Sequence, residues 1–213
     1  VSKEELAYIV LSLQAKGCYN INLVPPNQVV PQILEALELS VELGLHLPLA
    51  YNSGGYDSVD TLRILGGIVD IHMPDMKYDD TETARELSGM EDYPEVNKAA
   101  IKEMHRQTGD LDIDHEGVAR RGLLVRHLVL PHGLAGTKGI VSFLSEEIGG
   151  NTYINIMDQY HPCYKALQIS SLGRRISHAE FQEALSLAWR AGLRRLDGSV
   201  PLRFLGCVQN ERR

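Results

Sequence analysis

Three cysteines in 213 residues, at positions 18, 163 and 207, are too few and too scattered to make a C-x-x-C pair or a ligand set at zinc-site spacing. A reduced, cytoplasmic setting is the default expectation for such a chain. No apolar run reaches membrane-spanning length and no signal peptide is visible, so no membrane partner is expected. Basic residues are in the minority. The 21 Lys and Arg against 28 Asp and Glu give a net charge of −7, and Arg120-Arg121, Arg174-Arg175 and Arg194-Arg195 are isolated pairs. That balance argues against general nucleic-acid binding. Also missing are a G-x-x-x-x-G-K-[ST] phosphate loop, a G-x-G-x-x-G fingerprint and a G-x-S-x-G nucleophile elbow. His72, His105, His115, His132 and His178 form neither H-x-H nor H-E-x-x-H, which disfavours a hydrolytic zinc site.

What is present is an alternation of helix and strand signals, the mark of an α/β protein with parallel strands. Ser2 to Glu5 forms a capping box, and the helix behind it turns Leu6, Ile9, Val10 and Leu13 to one face before Gly17. A strand from Tyr19 to Val24 ends at Pro25-Pro26, and a helix from about Val30 runs to Gly44. Leu47 to Tyr51 reads as strand, closed by the turn cluster Asn52-Ser53-Gly54-Gly55; Val59 to Leu65 reads as a short helix. A strand follows over 68–77. Residues 79–122 are less regular, with a helix expected from Pro94 to about Thr108 and an exposed acidic connection from Asp110 to Gly117. Strand Leu123–Leu130, helix Ile140–Ile148, a last strand Tyr153–Tyr160 and a capped helix from Ser177 to Ala191 complete the pattern. About five strands are thus each followed by a helix, with one helix in front. Residues 197–213 show no element and are expected to form a partly mobile tail.

The polar residues of interest fall at strand ends. With a period of two, Val69, Ile71, Met73, Asp75 and Lys77 share a face, so a carboxylate and an ammonium follow three core residues. In a barrel of parallel strands that end is where ligands bind. Read alone, the pair is better explained as a surface ion pair just past a buried strand. Asn52 directly follows the strand Leu47–Tyr51 and, alone, needs no role beyond its turn. Arg126, inside the apolar run 123–130, must meet an acid, carbonyls or a ligand carboxylate, whereas His127 faces the other way, between strand and helix. Asn155, Met157, Gln159 and His161 share a polar face that suits a wet cavity, with His161 level with Asp75 and Lys77 or else a turn histidine before Pro162.

Four segments together, Asn20 to Val24, Val69 to Tyr78, Asp92 to Val96 and Val125 to Pro131, resemble radical S-adenosylmethionine (SAM) proteins. The likeness is to the branch related to pyruvate formate-lyase activating enzymes, and it extends from Val1 to about Leu196. It implies a partial (βα)6 TIM-like barrel, open on one side, here lacking its first strand. It implies a SAM site in which Asp75 and Lys77 match the family's Asp-x-Lys, Arg126 the fifth-strand arginine and His161 the sixth-strand histidine, with Asn52 in the turn after the preceding strand. The family's C-x-x-x-C-x-x-C loop, which holds three irons of a [4Fe–4S] cluster, has no counterpart in this chain, and Pro25-Pro26-Asn27 stands where a Gly-Gly-Glu motif would hold the SAM amino group. The expectation is a chain truncated at its N-terminus, inactive alone, whose intact form cleaves SAM with an external one-electron donor and acts on an unidentified substrate such as a glycyl-radical protein. Two rivals stand beside it: a cluster-less barrel binding a nucleotide-like ligand or a protein partner, and a metal enzyme using His161, Asp75 and His72, although His72 has the wrong strand parity.

Overall fold

Capping and breaking residues set most element boundaries. The structure, a computed structural model, describes residues 1–197. Helix α1 (Lys3–Ala15) opens on the reciprocal cap, the Ser2 hydroxyl accepting from Glu5 N–H at 3.2 Å and the Glu5 carboxylate from Ser2 N–H at 2.8 Å. Strand β1 (Ile21–Leu23) and helix α2 (Val30–Glu42) follow, with Ile33 and Leu37 packed on Val10, Ile21 and Leu49. Next come β2 (Leu49–Ser53), α3 (Val59–Ile64) and β3 (Ile71–Pro74).

The region 79–122 is more regular than its sequence indicates. Helix α4 (Thr81–Ser88) begins where Asp80 accepts from Thr83 N–H at 2.8 Å and ends at Gly89 in the left-handed region. Helix α5 (Tyr93–Thr108) starts one residue before the expected Pro94. The acidic connection is not simply exposed. Strand β4 (Asp112–Ile113) turns on the Asp114 side chain, which accepts from Glu116 and Val118 N–H, and pairs antiparallel with β5 (Ala119–Leu128). Burying Leu111 and Ala119 pulls this hairpin in and starts β5 four residues before the expected Leu123.

Helix α6 (Thr137–Phe143) continues as a π turn over Leu144–Ile148, then β6 (Tyr153–Met157) and α7 (His178–Arg190). Strand β6 is not the last. A two-residue strand β7 (Arg195–Leu196) pairs parallel with it, too short to leave a periodic signal. Asp197, the first residue of the expected tail, is anchored by a backbone bond to Ile154 and by the Tyr153 hydroxyl at 3.2 Å. The rest of that tail lies outside the described residues.

The sheet order is β1-β2-β3-β5-β6-β7, with every neighbour on this path parallel. Among the described residues β1 and β7 stand at the two ends of this order and do not pair with each other. This is the expected α/β architecture of alternating strands and helices, an open barrel. Alternation divides the strands cleanly. Tyr51, Leu123, Val125, Ile154 and Ile156 face the helices, while Ala50, Ile71, Met73, Leu124 and Tyr153 face the concave side. Among the described residues no helix is long and apolar enough to cross a membrane.

Two histidines lie on the helix side. His127 is fully buried between β5 and α6, its Nδ1 2.8 Å from the Met76 carbonyl and its Nε2 2.9 Å from the Thr137 hydroxyl. A carbonyl only accepts, so Nδ1 carries the proton and Nε2 accepts from Thr137. His72, under α5, has no hydrogen-bond partner on either nitrogen, and burial pushes its pKa from 6.5 to about 4, opposed by Gln107 and Glu103. The unfolded chain therefore takes up a proton near pH 6.5 that the folded chain refuses until near pH 4, and stability falls as pH drops through that window. For His72 the loss is roughly 3 kcal/mol. Urea-unfolding midpoints measured from pH 7 to 4 are expected to fall less steeply in His72→Phe than in the wild-type chain; parallel profiles would contradict this assignment.

Candidate functional site at the strand ends

Strand β3 ends at Pro74, but the chain stays attached to the sheet for two more residues. Asp75 N–H donates to Ser53 O at 3.0 Å and Met76 N–H to Arg126 O at 2.8 Å, so the backbone after β3 is stitched to both neighbouring strands. This keeps the strand alternation running and puts the Asp75 and Lys77 side chains on the concave side. There Lys77 Nζ meets Asp75 Oδ2 at 2.6 Å, and Arg126 Nη2, from β5, meets Asp75 Oδ1 at 2.6 Å. One carboxylate is thus bracketed by two cations. Asp75 is 17% exposed at its side chain, Arg126 25% and Lys77 44%, so the cluster grades from half-dry to wet.

The Arg126 contact is close but not aligned: Asp75 Oδ1 and Arg126 Nε both lack a hydrogen-bond partner. A guanidinium offers five donors in a fixed fork, and here part of the fork is unused. The pair is held by charge, and it leaves hydrogen-bonding capacity at the strand ends that the protein does not fill.

The cluster is braced from behind by α5. The Tyr93 hydroxyl accepts from Lys77 N–H at 3.1 Å and reaches the Gly54 and Asp75 carbonyls at 2.8 and 3.1 Å. Both hydrogens of the Asn97 amide are used, one on Gly55 O and one on Asp75 O, each at 2.9 Å. Gly55 sits at φ 76°, and a Cβ there would lie 2.1 Å from the Asp75 carbonyl oxygen. Only glycine allows this loop to pass so close.

A cavity of about 410 Å³ opens in front of the cluster. Asp75, Lys77 and Arg126 form one end of it. Leu128, Leu130 and Met157 continue the wall along β5 and β6, and Leu87 of α4 and Leu172 close the far side. Gln159 also lines it, as the polar face of the last strand suggested, and so does Tyr160, which strand alternation puts on the opposite face.

The five residues singled out from the sequence do not all meet. Asp75, Lys77 and Arg126 do. Asn52 lies within β2 rather than in the turn after it, buried and paired in register with Met73, on the concave face but outside the cavity lining. His161 is exposed and is not part of the lining, because β6 stops at Met157 and the following chain departs from strand geometry before it reaches that residue. His72 faces the helices and cannot join Asp75, which removes the metal-enzyme set. Asp79 is engaged elsewhere, paired with Lys98 at 2.8 Å and packed against Gly139. The sequence reading missed Leu87, Leu172 and the Tyr93/Asn97 brace. Of these only α4 left a clear signal, the Asp80 cap eight residues before the Ser88-Gly89 stop.

No protein-family model matches the chain. An uncharacterised protein of Methanocaldococcus jannaschii is 30% identical over 175 residues, covering 82% of this chain and 47% of that protein. The chain therefore spans about half the length of the curated relative it matches. Among solved structures, a radical SAM methyltransferase from Sphaerobacter thermophilus superposes with a TM-score of 0.61 at 13% identity, over 96% of this chain and 58% of the other. At that identity the likeness establishes the fold: an open α/β barrel shared with a radical SAM enzyme.

Asn97→Ala removes the side-chain donor to the Gly55 carbonyl and leaves the Asp75 carbonyl with Tyr93 alone, and is expected to lower stability by about 1–3 kcal/mol in urea unfolding. Gly55→Ala is expected to cost more, since there backbone must move. Equal, negligible losses in both would show that the brace does not hold the site.

Proposed function

We propose that this chain carries the SAM-binding part of a radical SAM protein. The observation behind the reading is the Asp75 carboxylate bracketed by Lys77 and Arg126, at the ligand-binding end of an open barrel whose fold is that of a radical SAM enzyme. The methionyl end of SAM bears an ammonium, a carboxylate and a sulfonium. A site with one acid and two bases answers both signs, and its unfilled hydrogen-bonding capacity suits a polar ligand better than a purely structural ion pair. In this reading Asp75 holds a cationic group, Lys77 and Arg126 hold carboxylate or ribose oxygens, and Asn52 supplies an amide on the same face. His161 would have to turn inward to serve as an orienting donor.

Bound here, SAM would supply one-electron chemistry leading to hydrogen-atom abstraction from a substrate, the electron coming from an external one-electron donor. The chain's own residues bind, orient and exclude water from the site, the last through the apolar walls of Leu128, Leu130 and Met157. Among the described residues no three His, Cys, Asp or Glu side chains are placed to hold a metal, so none of them forms a ligand set for a [4Fe–4S] cluster. The finer assignment, to the branch of pyruvate formate-lyase activating enzymes with an external electron donor, rests on the residue matches at Asp75, Lys77, Arg126 and His161.

The test is equilibrium dialysis of labelled SAM against the chain and its variants. Binding is expected in the wild-type chain, with affinity reduced tenfold or more, about 1.4 kcal/mol, in both Asp75→Ala and Arg126→Ala. Unchanged affinity in both variants would sink the proposal.

A further inference from the structure

The cavity has two chemically distinct ends, and the polar cluster accounts for only one. Beyond Arg126, the concave face of β5 and β6 presents Leu128, Leu130 and Met157, and the chain after β6 folds back across the strand ends to oppose them. That return segment includes a short 3-10 turn over Tyr164–Gln168 and brings Ala166 and Leu172 against Leu128, Leu130 and Leu87. It is pinned by the Tyr160 hydroxyl, which donates to Leu172 O at 2.8 Å. Leu87 arrives from α4 on the other flank. Three separate stretches of chain therefore converge to wall one apolar chamber beside a charged cluster.

We infer that this chamber is the substrate seat, and that it takes a small molecule whose buried portion is uncharged hydrocarbon rather than a polypeptide main chain. The inference rests on reading the charged end as the SAM end. With that end committed, what remains is walled mainly by leucine and methionine, with polar tips only on Tyr78, Gln159 and Tyr160. A protein backbone laid against it would carry an amide N–H and C=O at every residue, and most of the side chains it faced could not hydrogen-bond. Of the polar tips, the Tyr160 hydroxyl is already engaged with Leu172 O and the Gln159 Nε2 lies against the Met157 sulfur. A hydrocarbon meets no such penalty and gains from leaving water. Size points the same way. The whole cavity, charged end included, is about 410 Å³, near the small end of ligand pockets, so the apolar chamber is smaller still, and the return segment packs across it. A glycyl-radical protein, whose reacting residue is main chain, fits this chamber poorly.

The experiment uses the 213-residue chain with methyl-labelled Leu and Met, observed by NMR. Hexan-1-ol is titrated as an uncharged apolar probe, and acetyl-triglycine amide as a main-chain probe, each with and without SAM. Saturable shifts confined to the Leu128, Leu130, Met157 and Leu172 methyls with hexanol, present also with SAM and absent with the peptide, are the expected result. Ala166→Trp, which fills the chamber from its outer wall, is expected to abolish the hexanol shifts while the methyls of Leu37 and Leu49 stay in place and report an intact fold. Shifts with the peptide, no saturable shifts with hexanol, or hexanol displaced by SAM would each overturn the inference. Failure of SAM to shift the methyls nearest Asp75, with the hexanol result intact, would instead remove the SAM reading and leave an apolar seat without its charged partner.

Discussion

Everything at the candidate site depends on how three residues past the end of β3 are held. Pro74 ends the ladder, yet Asp75, Met76 and Lys77 keep nearly all their backbone groups bonded. Their partners come from four directions: Ser53 of β2, Arg126 of β5, the Tyr93 and Asn97 side chains of α5, and the His127 imidazole. A segment so short, at the mouth of a barrel, would otherwise lose its geometry to water. Because it does not, the Asp75 carboxylate keeps the strand's parity and meets the arginine of the adjacent strand β5.

That arrangement is costly as a stability device. An ion pair taken partly out of water recovers its desolvation only when its hydrogen bonds are complete, and here Asp75 Oδ1 and Arg126 Nε are left without partners. Lys98 with Asp79, and Arg174 with Glu180, show what the fold does with charge when nothing else is asked of it: the pairs sit at 2.8 Å with aligned donors. The incomplete pairing at the strand ends, beside an apolar chamber, supports the proposed reading of this cluster as a ligand site.

Much of this was legible before the structure, and the reasons differ by residue. Strand parity is a local property, so Asp75, Lys77 and Arg126 could be assigned to one face, and His72 and His127 to the other, from alternation alone. The helix caps at Ser2 and Ser177 are likewise local and formed as read. What could not be read were contacts made across the sequence. Tyr93 and Asn97 reach back to Gly54, Gly55 and Asp75, and nothing in their own neighbourhood announces it. β7 is two residues long and exists only because β6 offers it an edge. His161 was placed by extending β6 to Tyr160; the strand stops at Met157, and alternation has no meaning beyond that point. The hairpin at β4 was hidden by its own acidity, since Asp114 spends its carboxylate on the turn and on Arg120.

The central claim is that the bracketed carboxylate is a ligand cradle. A crystal structure of the chain grown with S-adenosylhomocysteine, which keeps the ammonium and carboxylate of SAM and lacks its reactive sulfonium, tests it most directly. The account predicts ligand density in contact with Asp75, Lys77 and Arg126, with the Asp75–Arg126 contact realigned to include it. Density bound elsewhere, with that pair unchanged, would contradict it.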